Sequence, residues 1–252
     1  KVTTTNTFNS DIIFIKVQLQ SPLEAPMSSN TLQEQAYHSI RKSIIYCEYE
    51  PQQKISENDL TDKLSIGRTP VREALIQLRQ QQLVYTIPQS GTYVSQINLA
   101  SAHNARFVRE QIERQVMIEC CAKLTGQHEK IMTTILEQQE KAIKENDKAS
   151  FFQLDNLFHQ TCYEIVGRKE IWNWLNTHNT HLERFRWLSL SGKDIQWAPI
   201  IDTHYELFDA LKNRNTDEAD YLTTVHLHKM LHDLHFLLKM YPNYFVQQLD
   251  ED

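Results

Sequence analysis

Glycine and proline are scarce in this chain, with five and seven among 252 residues. From Asn98 onward only Gly126, Gly167, Gly192, Pro199 and Pro242 punctuate the sequence, and no alternation of apolar and polar residues is sustained there. Strands need that alternation and frequent turn residues, so a β-rich second half is excluded. No run of eighteen apolar residues occurs, so no transmembrane helix is expected. The apolar stretch Ile12–Val17 is too short to span a membrane. The first thirty residues are rich in Ser, Thr and Asn and lack the basic start and apolar centre of a signal peptide. The four cysteines, Cys47, Cys120, Cys121 and Cys162, form no C-x-x-C pair. They suit small buried packing residues in a reducing, cytoplasmic compartment. The chain opens on Lys1, and Met27-Ser28-Ser29-Asn30 stands just ahead of the first helical pattern. Residues 1–30 therefore read as an extension. Either it is flexible sequence upstream of a start at Met27, or it is a genuine arm that adds a strand.

What is present is most informative between Ser56 and Val94. Leu32 to Tyr46 places Ala36, Ile40, Ile44 and Ile45 on one helical face, and Pro51 then interrupts in a loop. Two short helices follow. Pro70 fits only the first turn of a helix, so the second begins near Gly67 to Thr69. Val71, Ala74, Leu75 and Leu78 recur at helical spacing and turn one face inward. Arg68 and Arg72 are four residues apart, so a helix stacks them on one face near its N-terminal end. That is the end that enters the major groove in helix-turn-helix proteins, and Arg suits both guanine edges and phosphate. A solvated helix face is the plainer alternative for two arginines, but Pro70 and the apolar spacing favour DNA. After this helix, Leu83 to Val94 carries two β-branched and aromatic runs around a turn with Gly91, the pattern of a hairpin wing.

The order Pro51, Ile55-Ser-Glu, Leu60, Leu64, Arg68-Thr-Pro-Val-Arg-Glu-Ala-Leu75, Leu83-Val84, Gly91, Val94 resembles the DNA-binding domain of GntR-type bacterial transcription regulators. The resemblance implies a winged helix-turn-helix over 31–97 and DNA contacts from Asn58, Arg68, Thr69, Arg72 and Gly91. Two departures stand out. Relatives carry Gly at the end of the preceding helix and Ser before the first arginine, whereas here Ser65 and Gly67 have exchanged places. Relatives also often have Arg where this chain has Asn58.

The net charge of −6 is unevenly spread. Residues 31–97 hold seven Lys and Arg against seven Asp and Glu, and residues 98–252 hold 17 against 23. A neutral reader must draw its DNA affinity from local placement of Arg68, Arg72, Arg41 and Lys42. Modest, salt-dependent binding per domain favours a homodimer on two half-sites.

The second half, 98–245, carries helical periodicity near 99–124, 128–146, 148–166, 168–190, 197–213 and 215–239. An antiparallel bundle of about six helices accommodates it. Asp155 and His159 are i and i+4 on one helix, and His204 and His226 lie on two later ones. One Asp and three His from three helices can converge in a bundle core, as metal sites do. For a single histidine a hydrogen-bonded core role is the more common one. His228, His232 and His235 form a rival stripe, read as surface or dimer-contact residues, because His226 and His228 point about 200° apart on a helix.

This layout resembles the FCD effector domain that follows the reader in the FadR branch of GntR regulators. In its metal-binding members an Asp-x-x-x-His and two later histidines hold the ion, which implies Asp155, His159, His204 and His226 as ligands. Zn, Ni and Mn, with Co and Fe, suit that donor set. Arg109 resembles a position lining the effector pocket, where a guanidinium would clamp a carboxylate. The alternative for Arg109 is a surface ion pair with Glu113. Arg184 and Arg186 are weaker candidates of the same kind, and Trp187 is expected in the core or a dimer interface. The expected function is a DNA-binding transcriptional regulator, mainly α and not an enzyme. Its operator affinity would be set by a small organic acid bound at the metal. A metal-dependent enzyme with an accessory reader and a metal-free regulator responding to acyl ligands are the alternatives.

Overall fold

A computed structural model describes residues 31–191, 197–229 and 234–246. The extension 1–30 and His232 lie outside the described residues. The reader opens with α1 (Leu32–Ile45), whose first turn is closed by a reciprocal capping box between Thr31 and Glu34. Then come β1 (Lys54–Ile55), α2 (Glu57–Leu64), α3 (Arg68–Gln80), β2 (Val84–Ile87) and β3 (Gly91–Val94). Val71, Ala74 and Leu78 of α3 are fully buried and pack on Ala36, Ile40 and Ile44 of α1 in one core.

The exchange of Ser65 and Gly67 has the expected cost. Ser65 closes α2 in the left-handed conformation with φ of 54°, and Gly67 caps α3 without a side-chain hydrogen bond. A left-handed L-residue costs on the order of 1 kcal/mol that glycine would avoid. The wing is a three-stranded antiparallel sheet in the order β1-β3-β2. Tyr85 stands opposite Tyr93 with the rings stacked 5.7 Å apart. Gly91 has φ of 137°, and a Cβ there would meet Lys54 Cε at 2.7 Å, so the position admits only glycine without rearrangement. Strand β1 was not legible in the sequence. It is two residues long and exists because Lys54 and Ile55 pair with Tyr93 and Thr92.

The second half is helical: α4 (Leu99–Lys123), α5 (Gly126–Glu145), α6 (Lys148–Ile165), α7 (Lys169–His178), α8 (Thr180–Ser189), α9 (Ala198–Lys212), α10 (Thr216–Lys229) and α11 (Leu234–Met240). The single helix expected over 168–190 is two, α7 and α8, parted at buried Asn179. Asn179 N–H still donates to Leu175 O, and Glu183 N–H to Asn179 O. The bonding and the apolar spacing therefore run almost unbroken through the joint, which hides it from periodicity. Of the helix expected over 215–239, the described residues Thr216–Lys229 and Leu234–Met240 are helical. A short C-terminal segment also returns to the linker. Ile97 pairs with Phe245 in a parallel bridge, and Ile97, Phe185, Leu188, Leu237 and Phe245 form a small second core. Among the described residues no helix is long and apolar enough to cross a membrane.

The two halves touch through α8 and its neighbours. Thr180 Oγ1 donates to Gln81 O at 3.3 Å and Arg184 NH1 to Ser95 O at 2.7 Å. Arg41 was expected to serve DNA. It instead donates to Asn176 O of α7 at 2.5 Å, a partner that net charge could not reveal. Trp187 stacks on Tyr46, at the end of α1, with centroids 4.3 Å apart and planes 7° from parallel. Its place is thus between the two halves of one chain.

Candidate metal centre and DNA-reading face

Helix α6 supplies Asp155 and His159, α9 supplies His204 and α10 supplies His226. All four are buried, and one ligand atom from each lies within 4.8 Å of the others. His226 Nε2 is 3.2 Å from His159 Nε2 and 3.3 Å from His204 Nε2, and Asp155 Oδ1 is 3.6 Å from His204 Nε2. Ligand atoms bonded at about 2.1 Å to one ion stand about 3.0 Å apart in an octahedron and about 3.4 Å apart in a tetrahedron. The observed spacing is of that size.

The partners of the other ring nitrogens decide the tautomers. His204 Nδ1 is 3.0 Å from Gln139 Oε1. His159 Nδ1 contacts the Glu113 carboxylate at Oε1. Both partners only accept, so both Nδ1 atoms carry the proton. His226 Nδ1 is 2.9 Å from Thr203 Oγ1, whose own hydroxyl donates to Ile200 O at 2.8 Å. With that hydroxyl committed to Ile200 O, Thr203 is an acceptor for a proton on His226 Nδ1. In these tautomers each Nε2 presents a lone pair, and the three atoms lie side by side. Burial drives His204 down to about 4 and holds His159 and His226 well below their ordinary value, with neighbouring positive groups adding to the effect. Neutral imidazole with a free Nε2 is the metal-binding form. Four lone pairs with no proton among them fit a cation.

A surrounding layer fixes this arrangement. Arg186 contacts Asp155 Oδ2 and donates to Glu183 Oε1 at 2.6 Å and Asn156 Oδ1 at 2.8 Å. Burial alone would raise the Asp155 pKa, but Arg186 and the neighbouring histidines hold it below the ordinary carboxylate range. Arg109 Nε donates to Glu113 at 2.9 Å, and both residues are buried, so the surface ion pair is ruled out. Burial opposes the charge of Arg109, yet Glu113 outweighs it and keeps the guanidinium pKa raised. Its NH2 group is buried without a hydrogen-bond partner among the described residues. Sequence reasoning did not identify Glu113, Gln139 and Thr203 as partners of the imidazoles. Their only sequence signal is a polar residue at a helical core position, which resembles any surface position until the fold closes.

The other candidates fall elsewhere. Arg184 serves the junction and not the site. His228 is more than half exposed and lies 3.0 Å from Glu110, and His235 is exposed. Cys120, Cys121 and Cys162 are buried packing residues, with Cys120 Sγ donating to Cys162 O at 3.2 Å. On the reader, Asn58, Arg68, Thr69 and Arg72 are all exposed, and Gly91 is partly so. Arg72 is not free: its Nε and NH2 grip Glu57 at 3.4 and 3.0 Å.

These shifts carry a pH dependence. His181, which accepts Asn98 N–H on Nδ1, is lowered by burial to about 4, as is His204. Both take up protons on unfolding below about pH 6.5. The stability of their neutral buried forms is complete above that value and is lost as pH falls toward about 4. Chelator-treated protein is expected to melt at a constant temperature above about pH 7 and progressively lower as pH falls from about 6.5 to about 4.5. A melting temperature that holds constant down to about pH 5 would contradict this assignment.

Residues 32–94 match the family described as bacterial regulatory proteins, gntR family, and residues 105–229 match the FCD domain. The chain is 29% identical over 197 residues to the HTH-type transcriptional repressor RspR of Escherichia coli K12, covering 78% of this chain and 86% of that protein. It is 29% identical over 221 residues to an HTH-type transcriptional regulator from an unstable DNA locus of Streptomyces ambofaciens, covering 88% and 92%. In fold it is similar to E. coli McbR/YncC, with a TM-score of 0.72 at 16% identity over 84% of this chain and 99% of that one. A GntR regulator from Rhodococcus sp. RHA1 gives 0.66 at 19% identity over 81% and 97%. These families are transcriptional regulators and not enzymes. The chain belongs to the GntR family, with a winged helix-turn-helix reader followed by an FCD domain.

Proposed function

We propose that this regulator holds one divalent metal ion on Asp155, His159, His204 and His226, and that a small organic acid docking there sets its affinity for operator DNA. The observation that carries the reading is the convergence of three bare Nε2 atoms and a carboxylate oxygen, each imidazole fixed from behind. Zn, Ni or Mn suits the donors. When bound, the ion supplies a Lewis-acidic centre with positions open to an effector carboxylate. Arg109 is the second anchor: its Nε is committed to Glu113, while its buried NH2 has an unused donor for such a ligand. DNA is read by Arg68 and Arg72 from the start of α3, with Asn58, Thr69 and the wing at Gly91 beside them. Because the reader is neutral overall, a cytoplasmic homodimer joined chiefly through the helical half brings two readers to two half-sites.

Two experiments test these assignments. His204→Ala or His226→Ala, purified without a polyhistidine tag, is expected to lose stoichiometric metal in elemental analysis, while His228→Ala retains it. The reverse pattern would hand the site to the rival stripe. Arg72→Ala is expected to weaken binding to a duplex selected from random sequence by the wild-type protein, by roughly ten- to hundredfold per half-site. Helicity and oligomeric state should be unchanged. Wild-type occupancy at the same salt would remove Arg72 from the interface.

A further inference from the structure

Helix α8 touches both the candidate metal centre and the reader, through neighbouring stripes of one short rod. Thr180, Arg184 and Trp187, at i, i+4 and i+7, meet Gln81, Ser95 and Tyr46 of the reader side. Glu183 and Arg186, at i and i+3, form the charged group that holds Asp155 from behind. Arg186 and Trp187 are adjacent in sequence, so a contact made at the site and a contact made at the reader share one piece of backbone. Gln153, two residues before Asp155 on α6, also donates to Tyr46 OH at 3.2 Å. Phe152 fills the corner, edge-on to Trp187 at 5.5 Å and to Tyr46 at 5.9 Å. Tyr46 caps α1, and α1 packs along the recognition helix α3.

We propose that Arg186 and Trp187 form the link by which occupancy of the Asp155 centre is transmitted to Tyr46 and so to the reader. The inference rests on the metal reading above. Asp155 divides its two oxygens: Oδ1 faces His204 Nε2, and Oδ2 is held by Arg186. A carboxylate that shares its charge with a cation on Oδ1 holds a guanidinium on Oδ2 less strongly. Arg186 also donates from NH1 to Glu183 and Asn156, which keep their hold when the Asp155 contact weakens. A change in its balance between these partners repositions α8, and the flat Trp187–Tyr46 stack passes that displacement to α1. Arg186 acts here as a positioning residue. By reciprocity, DNA that favours one arrangement of the reader alters metal affinity by the same factor as metal alters DNA affinity.

The test uses the full-length protein labelled with 5-fluorotryptophan, with Trp187→Phe to assign the resonance among the four tryptophans. The metal alone, Zn²⁺ or Ni²⁺, is added after chelation. The expected result is a shift of the Trp187 resonance and a change of about fivefold or more in affinity for the selected duplex. Tyr46→Leu removes the Trp187 stack and the Gln153 bond and leaves the four ligands and Arg186 in place. It should leave metal affinity unchanged and reduce the metal effect on DNA binding to less than about twofold. Arg186→Lys, which keeps the charge but not the fork, should uncouple the Trp187 shift from metal binding. Metal that binds stoichiometrically while Trp187 stays fixed, or a full metal effect in Tyr46→Leu, overturns the link alone. Failure of the wild-type protein to bind metal overturns the site reading and the link together.

Discussion

Three buried imidazoles and one carboxylate converge in the core of the helical half, with one ligand atom from each within 4.8 Å of the others. This convergence organises the helical half of the molecule. The His226 Nε2 atom stands 3.2 and 3.3 Å from its two counterparts. Gln139, Thr203 and Glu113 stand behind the three rings at their Nδ1 atoms. Each comes from a different helix, so α4, α5 and α9 join α6 and α10 in defining the geometry. Partners behind the ligands of this kind orient rings and tune basicity. Here they also explain why a bundle core tolerates so many polar groups.

The second consequence is a nested set of buried charges. Glu113 lies between His159 and Arg109, and Asp155 lies between His204 and Arg186. Removing one partner of a buried ion pair strands the other, typically at a cost of about 3–5 kcal/mol. The arginines are therefore bound to the fold as firmly as to any ligand chemistry. Arg186 gives this network its reach. It is the point where the electrostatics of the site meets the helix that the reader leans on.

Much of this was legible in the sequence. The run from Arg68 to Leu75 specified the recognition helix because Pro70, the apolar spacing and the two arginines agree. The same agreement marked the wing, with its turn at Gly91. Asp155 with His159 could be placed on one face by spacing, and the choice of His226 over His228 followed from register. What escaped was long-range or hidden by continuity. Strand β1 owes its existence to a pairing 38 residues away, between Ile55 and Thr92 at its nearer end and Lys54 and Tyr93 at its farther end, a span of 37 to 39 in sequence. The joint at Asn179 interrupts the helix while its hydrogen bonds and apolar period run on. Arg41 reads as a DNA-facing charge in sequence, and only the fold reveals that Asn176 O receives it. Glu113 was visible as the neighbour of Arg109, but its partnership with His159 crosses between helices.

The most direct test is X-ray absorption at the metal edge, on protein purified without a polyhistidine tag. The expected spectrum has only nitrogen and oxygen bonded to the ion, with the multiple scattering of about three imidazoles. A shell containing sulfur, a single imidazole, or protein free of metal after loading and dialysis would contradict it.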